Sequence, residues 1–404
     1  TFTVDGMEIL ISVYSPHGQI TAKGITPEME KMMRAQKKFL GSFNTTKKYS
    51  VLLYMSDMEK PDARGFGALE HNTSTTVVMP EAMPMEELIP MLKDVVSHEF
   101  FHIVTPLNIH SKEIQYFNFN TPKMSEHLWM YEGITEYFAQ MFQVNQELIS
   151  EDEFFERIAG KIAQAKSFDD TMPFTTMSRN VLQEPYKSSY NNVYEKGALI
   201  AMCLDIQLRE SSNGQRGILQ LMKDLAKEYG AGKPFNDEDL FARVTALGGP
   251  EIGKFLSTYV AGNTPIPYDQ YFAKVGVTKT MIKKSGSAFL KNQQEPYITV
   301  NPNTKEIIVL PVAEQENVFY KTLGMKGGDV IVSVNGTAYN LDNIYDLIMG
   351  SMGWKDGDAI TVKIKRAGKE QTLTGKVSLP VEEIEGYHAT DASKATLRNA
   401  WLKG

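Results

Sequence analysis

The chain has 404 residues, 42% of them hydrophobic, enough for two or three domains with ordinary cores. A net charge of −7 with no dominant basic run argues against nucleic acid as a partner. No apolar stretch reaches the length of a membrane span, and the single cysteine, Cys203, rules out an internal disulfide.

The N-terminus, Thr1 to Gly6, has no start methionine, basic n-region or apolar h-region, and reads as a mature or trimmed product. Residues 7–14 (MEILISVY) and 49–54 (YSVLLY) read as strands, with a helix near 27–41 between them. Residues 73–79 are β-branched and strand-like. A helix is expected from about Met85 to near Pro106, with Pro90 close to its start as a place for a kink or late beginning. A second helix is expected after Ser125, as N-cap, carrying Trp129, Glu132, Tyr137, Phe138 and Phe142. Residues 151–284 read as mostly helical, apart from a Ser-, Thr-, Asn- and Pro-rich stretch at 167–192. After residue 285 the pattern changes to short strands at 297–300, 306–311, 329–334 and 359–364, with one helix at 341–352. Four segments are expected: a catalytic part to residue 150, a helical part at 151–285, a β-rich module at 286–380, and a charged tail at 381–404.

The chemistry is concentrated in His98-Glu99-Phe100-Phe101-His102, the HExxH pattern. On a helix, residues four apart share a face, so both imidazoles can reach one metal ion. Zinc takes nitrogen and oxygen ligands, and a catalytic zinc keeps a position open for water. Glu99 is placed to take a proton from that water. The alternative is a surface helix that happens to carry two histidines. Met91, Leu92, Val95, Val96, Phe100, Phe101, Ile103 and Val104 make the segment apolar almost all round, which implies burial, and buried imidazoles need partners. Glu132, in LWMYEG, lies 132 − 102 = 30 residues on, room for a loop and a returning helix, and supplies the third ligand. One zinc per chain and a zinc peptidase follow as expectations. Glu136, one turn after Glu132, and Asp94, one turn before His98, compete to orient a ligand histidine. His71, His110 and His127 are read as structural, because the ligand set is already complete.

Several stretches together resemble the glycyl aminopeptidase family of gluzincin metallopeptidases, whose members often carry a PDZ-like domain. HEFFH (98–102) resembles its metal motif, LWMYEGITEYF (128–138) its third-ligand helix, and GALEHNTST (67–75) the strand lining the substrate cleft. VYEKGALIA (193–201) resembles a segment of the wider gluzincin aminopeptidases, and GMKGGDVIVSVNG (324–336) is similar to the core of bacterial PDZ domains. The resemblance implies an α+β fold: a thermolysin-like catalytic domain, a helical subdomain, then a small PDZ-like domain. It also implies that the chain starts near the end of an N-terminal β domain.

The same resemblance implies that Tyr194 donates a hydrogen bond to the tetrahedral oxyanion, with Tyr190 in reserve, and that Glu70 holds the substrate's free α-amine. The implied activity is zinc-dependent removal of N-terminal residues, Gly and Ala favoured, from peptides. Further partners would be peptide or protein C-termini at the PDZ-like groove. The PDZ pairing suggests export to a bacterial cell envelope. Two other readings stay open: a thermolysin-like endopeptidase, in which Glu70 has no amine to bind, and a catalytically weak peptide-binding adaptor.

Overall fold

The computed structural model describes residues 1–43, 46–57, 59–60, 65–291 and 295–404. The chain divides into two compact units, Thr1–Lys279 with Tyr387–Gly404, and Thr280–Gly386.

The first unit opens with a sheet that its alternation dictates. Met7, Ile9 and Ile11 are buried while Glu8, Leu10 and Ser12 are exposed, the period of two of a half-covered strand. Strands β1 (Phe2–Val4), β2 (Met7–Tyr14), β3 (Lys48–Ser56), β4 (Gly67–His71) and β5 (Ser74–Pro80) pair, among the described residues, in the order β1-β2-β3-β5-β4. β3 runs parallel to β2 and to β5, and β4 lies antiparallel to β5 at the end of the sheet. The strands expected at 7–14, 49–54 and 73–79 fall on β2, β3 and β5.

Helices α1 (Ala22–Leu40) and α2 (Met85–Phe101) pack on the sheet face that carries Ile9, Ile11, Val51, Leu53, Met55, Val77 and Met79. α1 begins earlier than its apolar period suggests, because the Thr21 hydroxyl caps it, accepting from the Gly24 N–H at 3.1 Å. α2 runs unbroken through Pro90 but ends at Phe101, short of the expected Pro106. There the N–H groups of Ile103 and Val104 bond to Phe100 and Phe101, a tighter winding than α.

After α3 (Lys112–Gln115) comes a π-helical turn at Trp129–Ile134, which leads into α4 (Thr135–Asn145). Ser125, the expected N-cap, is buried; its hydroxyl accepts from the His127 N–H at 3.1 Å and donates to Asp237 at 2.5 Å. The expected helical region holds α5 (Glu151–Ala165), α6 (Phe174–Asn180), α7 (Asn192–Ser211), α8 (Ile218–Leu225), α9 (Leu240–Gly248), α10 (Pro250–Phe255) and α11 (Tyr268–Lys274). α6 lies inside the stretch expected to be irregular, anchored by buried Phe174 and Met177.

In the second unit, reached along β6 (Val277–Ser285), the sheet includes β7 (Ile298–Val300), β8 (Ile307–Val309), β9 (Val330–Val334) and the short β10 (Thr337–Ala338), completed by β11 (Ala359–Arg366) and β12 (Lys369–Lys376). Helices α12 (Pro311–Glu316), α13 (Val318–Leu323) and α14 (Ile344–Met352) belong to the same unit, and Phe289, Phe319, Tyr320 and Ile331 lie in its own core. The helices before residue 324 were not anticipated, since each is too short to show a period.

The segment expected as a charged tail is not a tail. It forms β13 (Val381–Ala389), which pairs with β6, and then α15 (Ala395–Lys403), so the β-rich unit is an insertion and the chain returns to the first unit. Trp401 is fully buried there, stacked on Phe155 and donating from Nε1 to the Tyr137 hydroxyl at 2.8 Å. Tyr137 in turn donates to Asp205 at 2.7 Å. One aromatic residue thus overrides the charge of its neighbours, because burying an indole is worth several exposed polar contacts.

A second tie closes the loop after β2. The buried Glu81 carboxylate accepts from the Ser15 hydroxyl, from the His17 N–H at 3.0 Å and from the Gln19 N–H at 3.4 Å, with His17 Nδ1 at 2.6 Å. Burial alone would raise this carboxyl, but the hydrogen bonds from Ser15 and His17 outweigh it and hold it down to about 2. A depressed carboxyl stabilises the fold above its unfolded pKa and loses that contribution as pH falls through the folded value. Glu81→Gln is therefore expected to lower the denaturation midpoint at pH 7 and to converge with the parent protein near pH 2. Equal loss at both pH values in urea melts would remove this role.

Candidate active site

Two elements bring the chemistry together. α2 carries His98 and Glu99 in its last turn, with His102 just past its end still in right-handed helical conformation. The π-helical turn Trp129–Ile134 presents Glu132 from the opposite side. The extra residue in such a turn re-aims a side chain, which is why these turns recur at functional sites.

Glu132 Oε2 lies 3.2 Å from His98 Nε2 and 3.7 Å from His102 Nε2. The far nitrogen of each ring is tied back: His98 Nδ1 to Glu136 at 2.8 Å, and His102 Nδ1 to the Thr105 carbonyl at 3.1 Å. Those bonds place the Nδ1 protons outward and leave the Nε2 atoms facing one another across Glu132. Asp94, the competitor for orienting His98, instead binds Gln143 at 2.8 Å and Arg157 at 3.1 Å.

The electrostatics favour a cation at this point. Burial works against charge on His98, but hydrogen bonds to Glu132 and Glu136 raise it to about 10. Burial pushes His102 down, keeping it a neutral donor. Glu132 is held below its ordinary value, the two histidines overcoming burial, and Glu136 falls to about 2, where Lys161 is the largest counterweight to burial. Glu99 is different. Burial, opposed by His98 and reinforced by Glu70 and Glu132, raises it to about 7, and its Oε2 is buried with no hydrogen-bond partner. Nearest-donor atoms of His98, Glu99 and His102 lie within 4.8 Å of one another. The imidazole nitrogens of His98 and His102 with the Glu132 carboxylate, and the Glu99 carboxylate beside them, suit zinc.

Tyr190 and Tyr194 line the approach, while Glu70 lies beyond the residues that wall it. The Tyr194 ring sits edge-on to His98 with centroids 5.6 Å apart, and its hydroxyl is 3.3 Å from that of Tyr190. Burial pushes the Tyr194 phenol far up, so it is a donor at any working pH. Glu70 stands half-buried on edge strand β4, close enough for its charge to act on Glu99 and His102. A cavity of about 550 Å³ is walled by Gly67, Ala68, His98, Glu99, Tyr190 and Tyr194. His127 uses both ring nitrogens, on Trp129 and the Asp237 carbonyl, and His110 faces the Pro106 carbonyl and Gln115. Neither belongs to the donor set.

Sequence reading missed how the two elements are pressed together. Gly133, next to Glu132, meets Gly197 on α7 so closely that a methyl at Gly133 would lie 2.5 Å from the Gly197 carbonyl. It also missed Lys161 on α5, 2.8 Å from Glu136. Nothing local signals either.

Paired imidazoles backed by acceptors, a carboxylate with proton affinity near neutrality, and a strand that ends the sheet among the described residues are the working parts of a metallopeptidase, and that is the class of this protein. Residues 91–200, from the middle of α2 into α7, match the model described as M61 glycyl aminopeptidase. No curated protein matches the sequence. Among solved structures, an aminopeptidase N family protein from Idiomarina loihiensis is similar across 100% of this chain and 70% of its own, with TM-score 0.62 and 19% identity, a likeness of fold. An M1 zinc metallopeptidase from Deinococcus radiodurans, bound to Tyr-Ser-Ala, has TM-score 0.40 and 16% identity over 64% of this chain and 48% of its own, too remote to support an argument.

Proposed function

We propose that the protein is a zinc aminopeptidase that removes N-terminal residues, Gly and Ala preferred, from peptides. The observation that carries this is the meeting of His98 Nε2 and His102 Nε2 at Glu132 Oε2, beside the unpartnered Glu99 Oε2. His98, His102 and Glu132 would hold one zinc per chain. Bound zinc supplies Lewis acidity and brings the pKa of water from about 15.7 to near 7.

The chain's own residues do the rest. Glu99 takes the proton of the attacking water and returns it to the leaving amine. Tyr194 donates to the oxyanion as the carbonyl becomes tetrahedral, and Glu136 fixes the ring of His98. The substrate backbone lies along the open side of β4, and Glu70 pairs with its terminal ammonium, which counts one residue from the scissile bond. The second unit is read as PDZ-like, with edge strand β7 receiving an extended peptide C-terminus. Loss of that binding on amidating the peptide would support it, and equal binding would not.

The test is a panel of aminoacyl p-nitroanilides with zinc-loaded protein. Release is expected from Gly and Ala members, abolished by N-acetylation and reduced about tenfold or more in kcat/KM by Glu70→Ala, on the scale of a lost charge-assisted bond. A second cavity, of about 290 Å³, is bounded by Asn72 and Ile103, each just beyond Glu70 or His102 in sequence. The endopeptidase reading would be established instead by cleavage of N-acetylated peptides.

A further inference from the structure

Lys161 sits near the end of α5, outside every motif, with its side chain only 12% exposed. Its ammonium reaches three places at once. It pairs with Glu136 Oε1 at 2.8 Å, stands 3.6 Å from Glu195, and donates to the Tyr194 carbonyl at 3.4 Å. Glu136 is thereby gripped at both oxygens, since its Oε2 is the atom that faces His98 Nδ1 at 2.8 Å. Gln140 Nε2 adds a contact to Oε1 at 3.2 Å.

We propose that Lys161 is a positioning residue for the active centre. A carboxylate bonded to a histidine through one oxygen can still rotate, and the ring rotates with it. A charge-assisted bond to the other oxygen fixes the carboxylate plane and, through it, the direction of His98 Nε2. The bond to the Tyr194 carbonyl extends the effect. Tyr194 lies in the first turn of α7, so one ammonium holds both the carboxylate behind His98 and the backbone of the tyrosine whose ring packs edge-on against that imidazole.

Burying an ammonium costs free energy that must be offset by partners. At the exposed face of α5 the same lysine would remain hydrated, as Lys166 does just beyond the helix. The structure instead places it against two carboxylates and a carbonyl, all belonging to segments that frame the site. Simple stitching of helices would need only one of these contacts.

The proposal rests on the zinc-site reading above, and its test separates the two. Zinc affinity is measured by competition with a chromophoric chelator, alongside the visible spectrum of the cobalt-substituted protein, kcat and KM, and a thermal melt. Lys161→Met is expected to weaken zinc binding by about 10–100-fold, to alter the cobalt spectrum, and to lower kcat more than it changes KM. Lys161→Arg should recover a large part of both, because a cation still spans Glu136 and the Tyr194 carbonyl. Lys161→Gln, one bond shorter and uncharged but still able to donate, should fall between Met and Arg.

A Met or Gln variant that folds and binds zinc as tightly as the parent, with the same cobalt spectrum, overturns the proposal. Loss of fold in both variants also overturns it, since Lys161 would then be a structural ion-pair partner. A parent protein that binds no zinc is a different result and sinks the reading of the site itself.

Discussion

Glu99→Gln is expected to lower kcat by about 10²–10⁴ while zinc remains bound, the range a positioned acid–base group contributes. The amide fills the same volume on the last turn of α2 and disturbs none of the three donors, so KM and metal content should change little. The physical case lies in the environment of the carboxylate. Burial raises Glu99 to about 7, with His98 opposing and Glu70 and Glu132 adding to the rise. A base whose proton affinity sits near the working pH both accepts a proton from water and releases it to an amine. Its Oε2 is buried without a partner, an arrangement costly enough to need a reason. Measured turnover of Gly-p-nitroanilide within tenfold of the parent, with stoichiometric zinc, would assign the proton to another group.

Gly133→Ala is expected to be the most damaging single-methyl change near the site. The added methyl would lie 2.5 Å from the Gly197 carbonyl carbon and oxygen, backbone atoms that can move only with α7. The reverse change, Gly197→Ala, meets Gly133 Cα at 2.9 Å and should be milder. Gly160→Ala, on the exposed face of α5 with nothing within 4 Å, is the control and should be neutral or slightly stabilising. Overpacking of this kind costs about 1–3 kcal/mol or more. The functional loss should exceed the stability loss, because Gly133 adjoins Glu132 and the displaced helix carries Tyr194. Melts, zinc affinity and kcat/KM of the three variants check the ranking. Gly133→Ala with parental activity would mean the crossing is not needed to aim Glu132.

The legible and illegible parts differ in range. β2 was legible because alternation over eight residues is a local record of one covered face. The relation of His98 to His102 was legible for the same reason, a helical turn being a local object. The end of α2 was not, because it is settled by which carbonyls Ile103 and Val104 find after Phe101. The last twenty or so residues misled because their charged residues are scattered among short apolar ones with no clear period, yet Trp401 finds Phe155 and Tyr137, far away in sequence.

By itself the sequence determined the spacing of His98 and His102 along α2 and the carboxylate of Glu99 beside them, since covalent order and helix period suffice for these. It also marked the change of secondary-structure style near residue 285. Only the tertiary structure decided which carboxylate oxygen faces which imidazole, that Glu136 rather than Asp94 backs His98, and that Lys161 backs Glu136. It decided too that Gly133 and Gly197 meet, bringing the turn that carries Glu132 against the helix that carries Tyr194. Such choices turn on distances of an ångström between segments remote in sequence, and those distances emerge only when the packed interior leaves each side chain a single place to go.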